Sequence, residues 1–333
     1  MRPSPLPASN KPTCSRPCSR PTSPHSVHSR PSWHRATAPE EDAPEEERTT
    51  VSDSSARRPR PRVGFIGLGD QGLPMATGIA ENDFELHVWA RRAASLIPLA
   101  STPHVAHDSA SSLAGAVDIV LLCVGTDRDV LRIVQEDLLG RLHPGAIIVN
   151  HGTGTPKNAR ILHSLGAAAG IEVIDAPVSG GRPAAEARTL TVLAGGTTSA
   201  IDAMQAVFHS YARNIVHVGS AGAGQMAKLF NNALLMHNQA SIADILQLAA
   251  QAGLDPVSLV HALRLGSANS RALELMNTMV TPETVEHLSA VEALDMDLFD
   301  QAMRDAGIDA ATATARGLAG ANRLPEVIER LNP

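Results

Sequence analysis

Three glycine-bearing segments, in a fixed order along the chain, contain the residues that could do chemistry. They read Gly-Leu-Gly-Asp-Gln-Gly at 67–72, Asp-Ala-Pro-Val-Ser-Gly-Gly at 175–181 and Gly-Ala-Gly-Gln-Met-Ala-Lys-Leu-Phe-Asn-Asn at 222–232. The first can receive the pyrophosphate of a dinucleotide, and the second can offer backbone N–H groups to a small anion. The third contains Lys228, an amine that can transfer a proton. Together the three segments predict a nicotinamide-dependent dehydrogenase.

The first glycine segment lies between a predicted strand and a predicted helix. The apolar run Arg62–Ile66 ends just before it, and Pro74 follows it, where the missing N–H is harmless in the first turn of a helix. In this context the first glycine permits a tight turn, the second lets the backbone approach the pyrophosphate, and the third lets helix and strand pack closely. The predicted cofactor contacts in this loop are Gly67, Leu68, Gly69, Gln71 and Gly72.

The end of the second predicted strand, Glu85–Trp89, indicates which dinucleotide binds. Strands of NAD-binding sites usually end near a carboxylate that bonds the ribose 2′-hydroxyl. Here the chain continues as Ala90-Arg91-Arg92, with no carboxylate. A guanidinium suits a 2′-phosphate through paired, charge-assisted hydrogen bonds. We therefore predict NADP(H), with NAD as the alternative if the two arginines form only a solvated basic surface.

Further apolar runs alternate with helical segments after the second strand. The runs lie at 118–124, 146–149, 172–174, 190–194 and 215–218, and a helical segment lies at about 130–139. This alternation is typical of a parallel sheet that is covered by helices on both faces. Val124, Gly125 and Thr153 are assigned as further cofactor contacts.

These motifs, over residues 62 to about 325, resemble the β-hydroxyacid dehydrogenase family, which includes 3-hydroxyisobutyrate dehydrogenase and is related to 6-phosphogluconate dehydrogenase. The matching segments are Gly-Phe-Ile-Gly-Leu-Gly from 64, the segment 175–181 with Glu186, and the segment 222–232. The resemblance implies an α/β fold: a Rossmann-type doubly wound parallel sheet, a long interdomain helix and an all-helical C-terminal domain. We expect an NADP-binding domain at 61–218 and a helical domain at 219–333, in a homo-oligomer that is a dimer or a tetramer.

The resemblance also implies a catalytic role for Lys228, supported by Asn232. The sequence is compatible with this, because 225–252 contains no Gly or Pro and predicts one helix on which residues four apart share a face. An ammonium on a rigid helix can polarise a carbonyl and donate a proton to it. Its ordinary pKa of about 10.4 must be lowered for reversible transfer near neutrality. The predicted substrate contacts are Ser179, Gly180, Gly181 and Thr153, and the expected substrate is a small carboxylate.

Two segments depart from the family pattern. Where the family has Ser-Thr after the fourth strand, this chain has His151-Gly152-Thr153, so a hydroxyl is lost. Where the family has Lys-Asp-Leu in the C-terminal half, the matching stretch is interpreted as Met296-Asp297-Leu298, which removes a cation from the inferred site. Arg182 could restore a positive charge. The departures leave the substrate open more than the fold or the hydride chemistry.

Composition excludes several other classes of protein. The net charge of −6 argues against a nucleic-acid partner, and no apolar run approaches the roughly 20 residues of a membrane span. The three cysteines, Cys14, Cys18 and Cys123, are too few for a disulfide framework, which favours a cytoplasmic protein. We expect no metal site.

Residues 1–60 have a different composition from the rest of the chain. They hold 11 prolines and 11 serines, but only three residues of the Leu, Ile, Val and Phe set. Such a segment cannot bury enough apolar surface to offset the entropy of ordering, which predicts disorder. Either a disordered tail or a true start near Val51 is favoured over a targeting signal.

The predicted function is an NADP(H)-dependent oxidoreductase that interconverts a small β-hydroxy acid, or a related hydroxy compound, with its aldehyde or ketone. One alternative is an imine reductase of the same fold. Those enzymes usually lack a lysine at the position of Lys228. The other alternative is a cofactor-binding protein without catalysis, a reading that normally requires the loss of this lysine.

Overall fold

The computed structural model describes residues 60–333, which belong to one compact unit of the chain. The predictions for the N-terminal segment, with Cys14 and Cys18, lie outside the described residues. No helix within 60–333 is long and apolar enough to cross a membrane.

A nine-stranded sheet forms the N-terminal part of this unit. Its strands are β1 (Val63–Ile66), β2 (Leu86–Trp89), β3 (Val105–Ala106), β4 (Ile119–Leu122), β5 (Ile147–Asn150), β6 (Glu172–Asp175), β7 (Val178–Ser179), β8 (Leu190–Gly195) and β9 (Ala212–Gly219). The order is β3-β2-β1-β4-β5-β6-β8-β7, and β9 pairs with β8. The first six strands pair in parallel, and this part of the sheet matches the prediction.

The last strands join the same sheet, but β8 runs antiparallel to β6 and β7, while β9 is parallel to β8. The chain turns back through β7 and a short helix instead of crossing over the sheet, and a short return of this kind gives antiparallel pairing. The prediction of a wholly parallel sheet is therefore wrong at β8.

Helices cover both faces of the sheet. They are α1 (Gly72–Glu81), a 3₁₀ helix (Ala93–Leu99), α2 (Ala110–Ala114), α3 (Asp127–Arg132) continuing into a π-helical turn (Ile133–Leu138), α4 (Pro156–Ala168), α5 (Gly181–Glu186) and α6 (Thr198–Phe208). Adjacent residues of β1 face separate cores, Phe65 the core on the side of α1 and Ile66 the core on the side of α2 and α3. The predicted doubly wound fold is confirmed.

The C-terminal part is helical. It comprises α7 (Ala223–Gln251), α8 (Pro256–Leu265), α9 (Arg271–Leu275), α10 (Val285–Asp305), α11 (Ala311–Asn322) and α12 (Leu324–Leu331). The predicted long helix is α7, which has 29 residues and begins at Ala223, two residues before the predicted start. The α10 and α11 helices pack on it. Strand β9 ends at Gly219, next to the proposed domain boundary at 218/219, and that boundary remains a prediction.

The α7–α11 contact requires a glycine. A Cβ built at Gly320 would lie 1.9 Å from the Met236 carbonyl oxygen and 3.1 Å from the Ala240 nitrogen, both backbone atoms of α7. Gly320→Ala would force the two helices apart, and overpacking of this kind typically lowers the free energy of unfolding by about 1–3 kcal/mol. Thermal unfolding tests this, with Gly140→Ala as the control, because a Cβ there meets nothing within 4 Å. Equal melting temperatures for the two variants would contradict the packing.

Candidate active site

The loop after β1 holds its three glycines for different reasons. A Cβ on Gly67 would lie 2.1 Å from the Cys123 carbonyl oxygen, and one on Gly72 would lie 1.9 Å from the Gly67 oxygen, so the protein itself excludes side chains there. A Cβ on Gly69 meets no atom within 4 Å. The middle glycine therefore leaves open space at the surface of the loop. This is the arrangement expected if a pyrophosphate lies against Gly69.

A pocket opens beside this loop, between β1 and β4. The order of the strands reverses there, and open α/β sheets bind ligands at such a point. Among the predicted cofactor contacts, those that line the pocket are Gly67, Leu68, Gly69, Arg91, Arg92, Val124 and Gly125. Gln71, Gly72 and Thr153 do not line it. Gln71 and Gly72 stand at the start of α1, and Thr153 lies in the loop after β5.

The pocket also contains residues that the sequence did not single out. Trp89 is the last residue of β2, Ser95 follows that strand, and Asp129 and Arg132 lie on α3. The α3 residues could have been anticipated, because the helix after β4 must begin at the edge of the sheet where β1 meets its glycine loop. Arg132 adds a third guanidinium near Arg91 and Arg92.

Asp175 joins the sheet to the start of α7. Its Oδ1 accepts a hydrogen bond from the Gly222 N–H at 2.7 Å, and its Oδ2 accepts one from the Gln225 N–H at 2.8 Å. A carboxylate is favourable at the positive end of a helix. Burial raises the pKa of Asp175 to about 6, and the backbone N–H groups oppose the rise. The first residue of the second motif thus orients the helix that carries Lys228.

Gln225 links α7 to the loop after β5. Its Nε2 donates to the Gly152 carbonyl at 2.7 Å, and its Oε1 accepts from the Gly154 N–H at 2.8 Å. Gly152 in turn packs against Val124, which follows β4, since a Cβ there would lie 2.6 Å from the Val124 carbonyl oxygen. A continuous line of contacts therefore runs from the glycine loop through Val124 and Gly152 to Gln225. Lys228 is one helical turn further along α7.

Lys228 is half-buried, and desolvation lowers the pKa of its ammonium, although the charge of Asp295 opposes the change. Asp295 lies on α10, where it accepts a hydrogen bond from Asn232 Nδ2 at 2.7 Å. Burial raises the pKa of Asp295, and Lys228 and Asn232 both lower it. The predicted pair of Lys228 and Asn232 therefore includes a third member, a carboxylate that the sequence did not single out.

The placement of Met296 against the inferred site is wrong. Its side chain is fully buried in the helical core and packs at Gly317 of α11. The residue of α10 that meets Asn232 is Asp295, and if the aspartate of the family's Lys-Asp-Leu lies there, the lysine position falls on Leu294. Leu294 is 63% exposed. In this alignment, Leu294 is the residue that replaces the family's lysine.

The predicted substrate contacts lie where the second motif meets the helical part. Gly180 and Gly181 both have positive φ, 132° and 68°, a conformation that permits adjacent N–H groups to converge. A Cβ on Gly181 would lie 3.0 Å from Met279 Sδ, which places the motif against the segment between α9 and α10. Arg182 is exposed and pairs with Glu186 at 2.7 Å and Asp70 at 3.8 Å. Its charge is therefore shared between two exposed carboxylates, of which Glu186 is the nearer and Asp70 belongs to the glycine loop.

His151 is buried and contacts the backbone of the second motif. Its Nδ1 donates to the Ala176 carbonyl at 2.7 Å, so its Nε2 accepts from the Tyr211 hydroxyl at 3.0 Å. This pattern needs the neutral imidazole. Burial lowers the pKa of His151 to about 4.

Two family models match the chain in sequence. Residues 62–219 match the NAD binding domain of 6-phosphogluconate dehydrogenase. Residues 222–322 match the NAD-binding domain of NADP-dependent 3-hydroxyisobutyrate dehydrogenase. The chain belongs to the β-hydroxyacid dehydrogenase family. It is an NAD(P)-dependent enzyme of the type that acts on CH–OH groups.

Individual relatives agree with this assignment. The NAD-dependent L-serine dehydrogenase of Pseudomonas aeruginosa is 32% identical over 76% of this chain and 86% of its own length. The structure of Mycobacterium tuberculosis 3-hydroxyisobutyrate dehydrogenase with L-serine has a TM-score of 0.73 and 26% identity, and covers 82% of this dehydrogenase and 99% of that chain. An imine reductase from Pseudomonas sp. has a TM-score of 0.54 at 18% identity over 82% of this chain and 99% of its own, which shows the fold alone.

The neutral state of His151 predicts a pH-dependent stability. The native pKa of His151 lies below its ordinary value of about 6.5. The contribution of the imidazole to the free energy of unfolding is therefore complete above about pH 6.5 and is lost as the pH falls toward 4. The stability advantage of the native protein over His151→Asn should therefore shrink by about 3 kcal/mol between about pH 7 and pH 4. Urea unfolding measures this. His209→Asn, at an exposed histidine, is the control and should show no such change. A constant difference for His151→Asn would contradict the buried neutral imidazole.

Proposed function

We propose that this dehydrogenase uses NADP(H) to interconvert a small β-hydroxy acid, or a related hydroxy compound, with its aldehyde or ketone, and that Lys228 is the general acid and base. The observation that carries the proposal is the position of Lys228. It lies one turn beyond Gln225, which binds the loop next to Val124 of the cofactor pocket, and burial lowers the pKa of its ammonium.

The pocket fits a nicotinamide dinucleotide. Gly69 leaves open space for the pyrophosphate, and Arg91 and Arg92 supply guanidinium groups at the end of β2, where a 2′-phosphate would lie. When bound, the nicotinamide ring gives a hydride in reduction and takes one in oxidation. The remaining chemistry, a proton transfer at the substrate oxygen, falls to side chains of the protein.

Lys228 is suited to that proton transfer in both directions. In reduction its ammonium polarises the carbonyl oxygen and donates a proton to the alkoxide that forms. In oxidation the neutral amine accepts the proton of the hydroxyl group. Desolvation favours the neutral amine, while the charge of Asp295 favours the ammonium. Asn232 bonds Asp295 and so holds the carboxylate in place.

The substrate carboxylate is proposed to lie at Ser179–Gly181, with Thr153 beside it. The positive φ angles of both glycines and the contact with Met279 support a small, shaped anion site there. Relatives named for L-serine and 3-hydroxyisobutyrate act on compounds with a hydroxyl group β to a carboxylate. We therefore propose this substrate class. The domain division at 218/219 and a dimeric or tetrameric state are parts of the same proposal.

Cofactor choice depends on the two arginines. If they hold a 2′-phosphate, the enzyme should bind NADPH more tightly than NADH, and Arg91→Ala or Arg92→Ala should weaken NADPH by about 10–100-fold, as expected for the loss of charged hydrogen bonds worth about 1–3 kcal/mol. NADH binding should change little. Arg213→Ala, on the exposed surface of β9, is a matched control. Equal affinities of the native enzyme for the two cofactors, measured by fluorescence titration, would refute the preference.

The role of Lys228 is tested by single-turnover hydride transfer. With NADPH bound and an aldehyde acid as substrate, Lys228→Ala should slow the reaction by roughly 10²–10⁴, the usual contribution of a positioned acid–base group. Lys228→Arg should rescue little, because a guanidinium does not release a proton near neutrality. Asn232→Ala should slow hydride transfer less than Lys228→Ala does. Lys157→Ala, at an exposed lysine of α4, is the control.

The same assay separates the alternatives. Because the cofactor pocket and Lys228 are distinct, NADPH should bind Lys228→Ala as it binds the native enzyme. A native rate for Lys228→Ala would make the lysine structural and would favour an imine reductase, which a panel of imines would then reveal. The absence of hydride transfer to any compound, with intact NADPH binding, would favour a non-catalytic role.

A further inference from the structure

A buried polar pair lies between α7 and α10, and its glutamate is one helical turn from Asp295, the carboxylate whose charge acts on Lys228. Gln239 Nε2 donates to Glu292 Oε1 at 2.9 Å, and both side chains are buried. The two other oxygens of the pair, Gln239 Oε1 and Glu292 Oε2, have no hydrogen-bond partner within the described part of the chain. Two buried acceptors without a donor are costly if both remain acceptors.

One proton removes this difficulty. If Glu292 is a neutral carboxylic acid, its Oε2–H can donate to Gln239 Oε1 while Gln239 Nε2 donates back to Oε1. The acid and the amide then satisfy each other through two hydrogen bonds. An ionised Glu292 would instead leave a charge and an amide oxygen buried without partners.

The surroundings favour the neutral acid. The residues of α11 that lie beside this part of α10 are uncharged. Gly317 lies beside Met296, and the Ala321 carbonyl accepts a hydrogen bond from the Ser289 hydroxyl. From α7, the neighbour is the uncharged Gln239. The charge that acts on Glu292 is Asp295, one turn along its own helix. Burial raises the pKa of Glu292 to about 7, Asp295 raises it further, and the bond from Gln239 opposes both.

We infer that Glu292 is a positioning residue for Lys228: in its protonated form it makes an acid–amide pair with Gln239 and leaves the negative charge to Asp295. The pair joins α10 to α7 at a second point, one turn of α10 away from the contact between Asp295 and Asn232. Ionisation of Glu292 places a second negative charge near Asp295, which favours the protonated form of Lys228. The tuning of catalysis rests on the proposed function of Lys228, whereas the acid–amide pair does not.

Infrared difference spectroscopy tests the pair without reference to turnover. At about pH 6, native protein minus Glu292→Gln should show the C=O stretching band of a neutral carboxyl, because the acid is still protonated there. Glu286→Gln, an exposed glutamate on the same helix, is the matched control and should show no such band. If Glu292→Gln does not fold, the exchanged variant Gln239→Glu/Glu292→Gln rebuilds the pair with the two side chains swapped. Its own spectrum should contain the neutral carboxyl band, as the native spectrum does. A native spectrum without the band overturns the pair.

The effect on Lys228 is measured separately. The chain has three lysines, Lys11, Lys157 and Lys228, so ¹³C-methylated lysine signals are few and can be assigned by substitution. Above about pH 7 the native Glu292 ionises, whereas the glutamine of Glu292→Gln stays neutral. In Glu292→Gln the Lys228 signal should therefore titrate at lower pH than in the native protein, and oxidation at about pH 8 should be roughly threefold faster.

The two readouts distinguish the two levels of the inference. An unchanged Lys228 titration overturns the tuning role, whatever the activity. A shifted titration with no change in oxidation rate supports the pair and its effect on the lysine, and counts against the proposed catalytic function.

Discussion

The site depends on one buried carboxylate, Asp175, at the start of α7. This residue ends β6, the strand before the second motif, and accepts the N–H groups of Gly222 and Gln225. The bond to Gln225 fixes the first turn of a 29-residue helix, and the side chain of Gln225 then fixes the loop after β5. The second motif, the third motif and the loop after β5 are therefore joined by the hydrogen bonds of two side chains. Without Asp175, the start of the helix that carries Lys228 would lose the two hydrogen bonds that tie it to β6.

Two opposing effects act on the pKa of Lys228. Desolvation favours the neutral amine, and the charge of Asp295 favours the ammonium. Asp295 is itself shifted toward the neutral acid by burial and toward the anion by Lys228 and Asn232. A group that must donate and accept the same proton needs such a balance, since either effect alone would leave it in one state. The hydrogen bond from Asn232 matters because it sets where the carboxylate charge sits.

The sequence was sufficient for features that depend on local pattern. The apolar runs and the glycine spacing placed the strands and the long helix, because strand and helix periods are local properties. The pocket residues Arg91 and Arg92 could be found because they directly follow β2. The reversal at β8 was missed, because the direction of a strand is set by the path of the chain between strands and not by its own residues.

The contacts between distant segments could not be read from the sequence. Asp175 stood in a recognised motif, yet its bonds to residues about 50 positions later depend on the folded sheet. The placement of Met296 failed because two residues along a helix rotate a side chain by about 200° around the axis. That shift separates the exposed Leu294 from the buried Met296. A count of residues near a motif is therefore unreliable on a helix unless the buried face is known.

The two ends of the site differ in how freely their residues can change. Arg91 and Arg92 are exposed at the edge of the pocket, and most surface substitutions of this kind alter stability little. Asp175, Gln225 and Asn232 are buried and bonded, so replacing any of them leaves buried groups without partners. Substitutions at the two arginines can thus be made without loss of stability, while substitutions of the buried residues around Lys228 destabilise the fold. Leu294 lies between these cases, since it is exposed yet adjacent to Asp295, and a change there can alter the charge near Asp295 at little expense in stability.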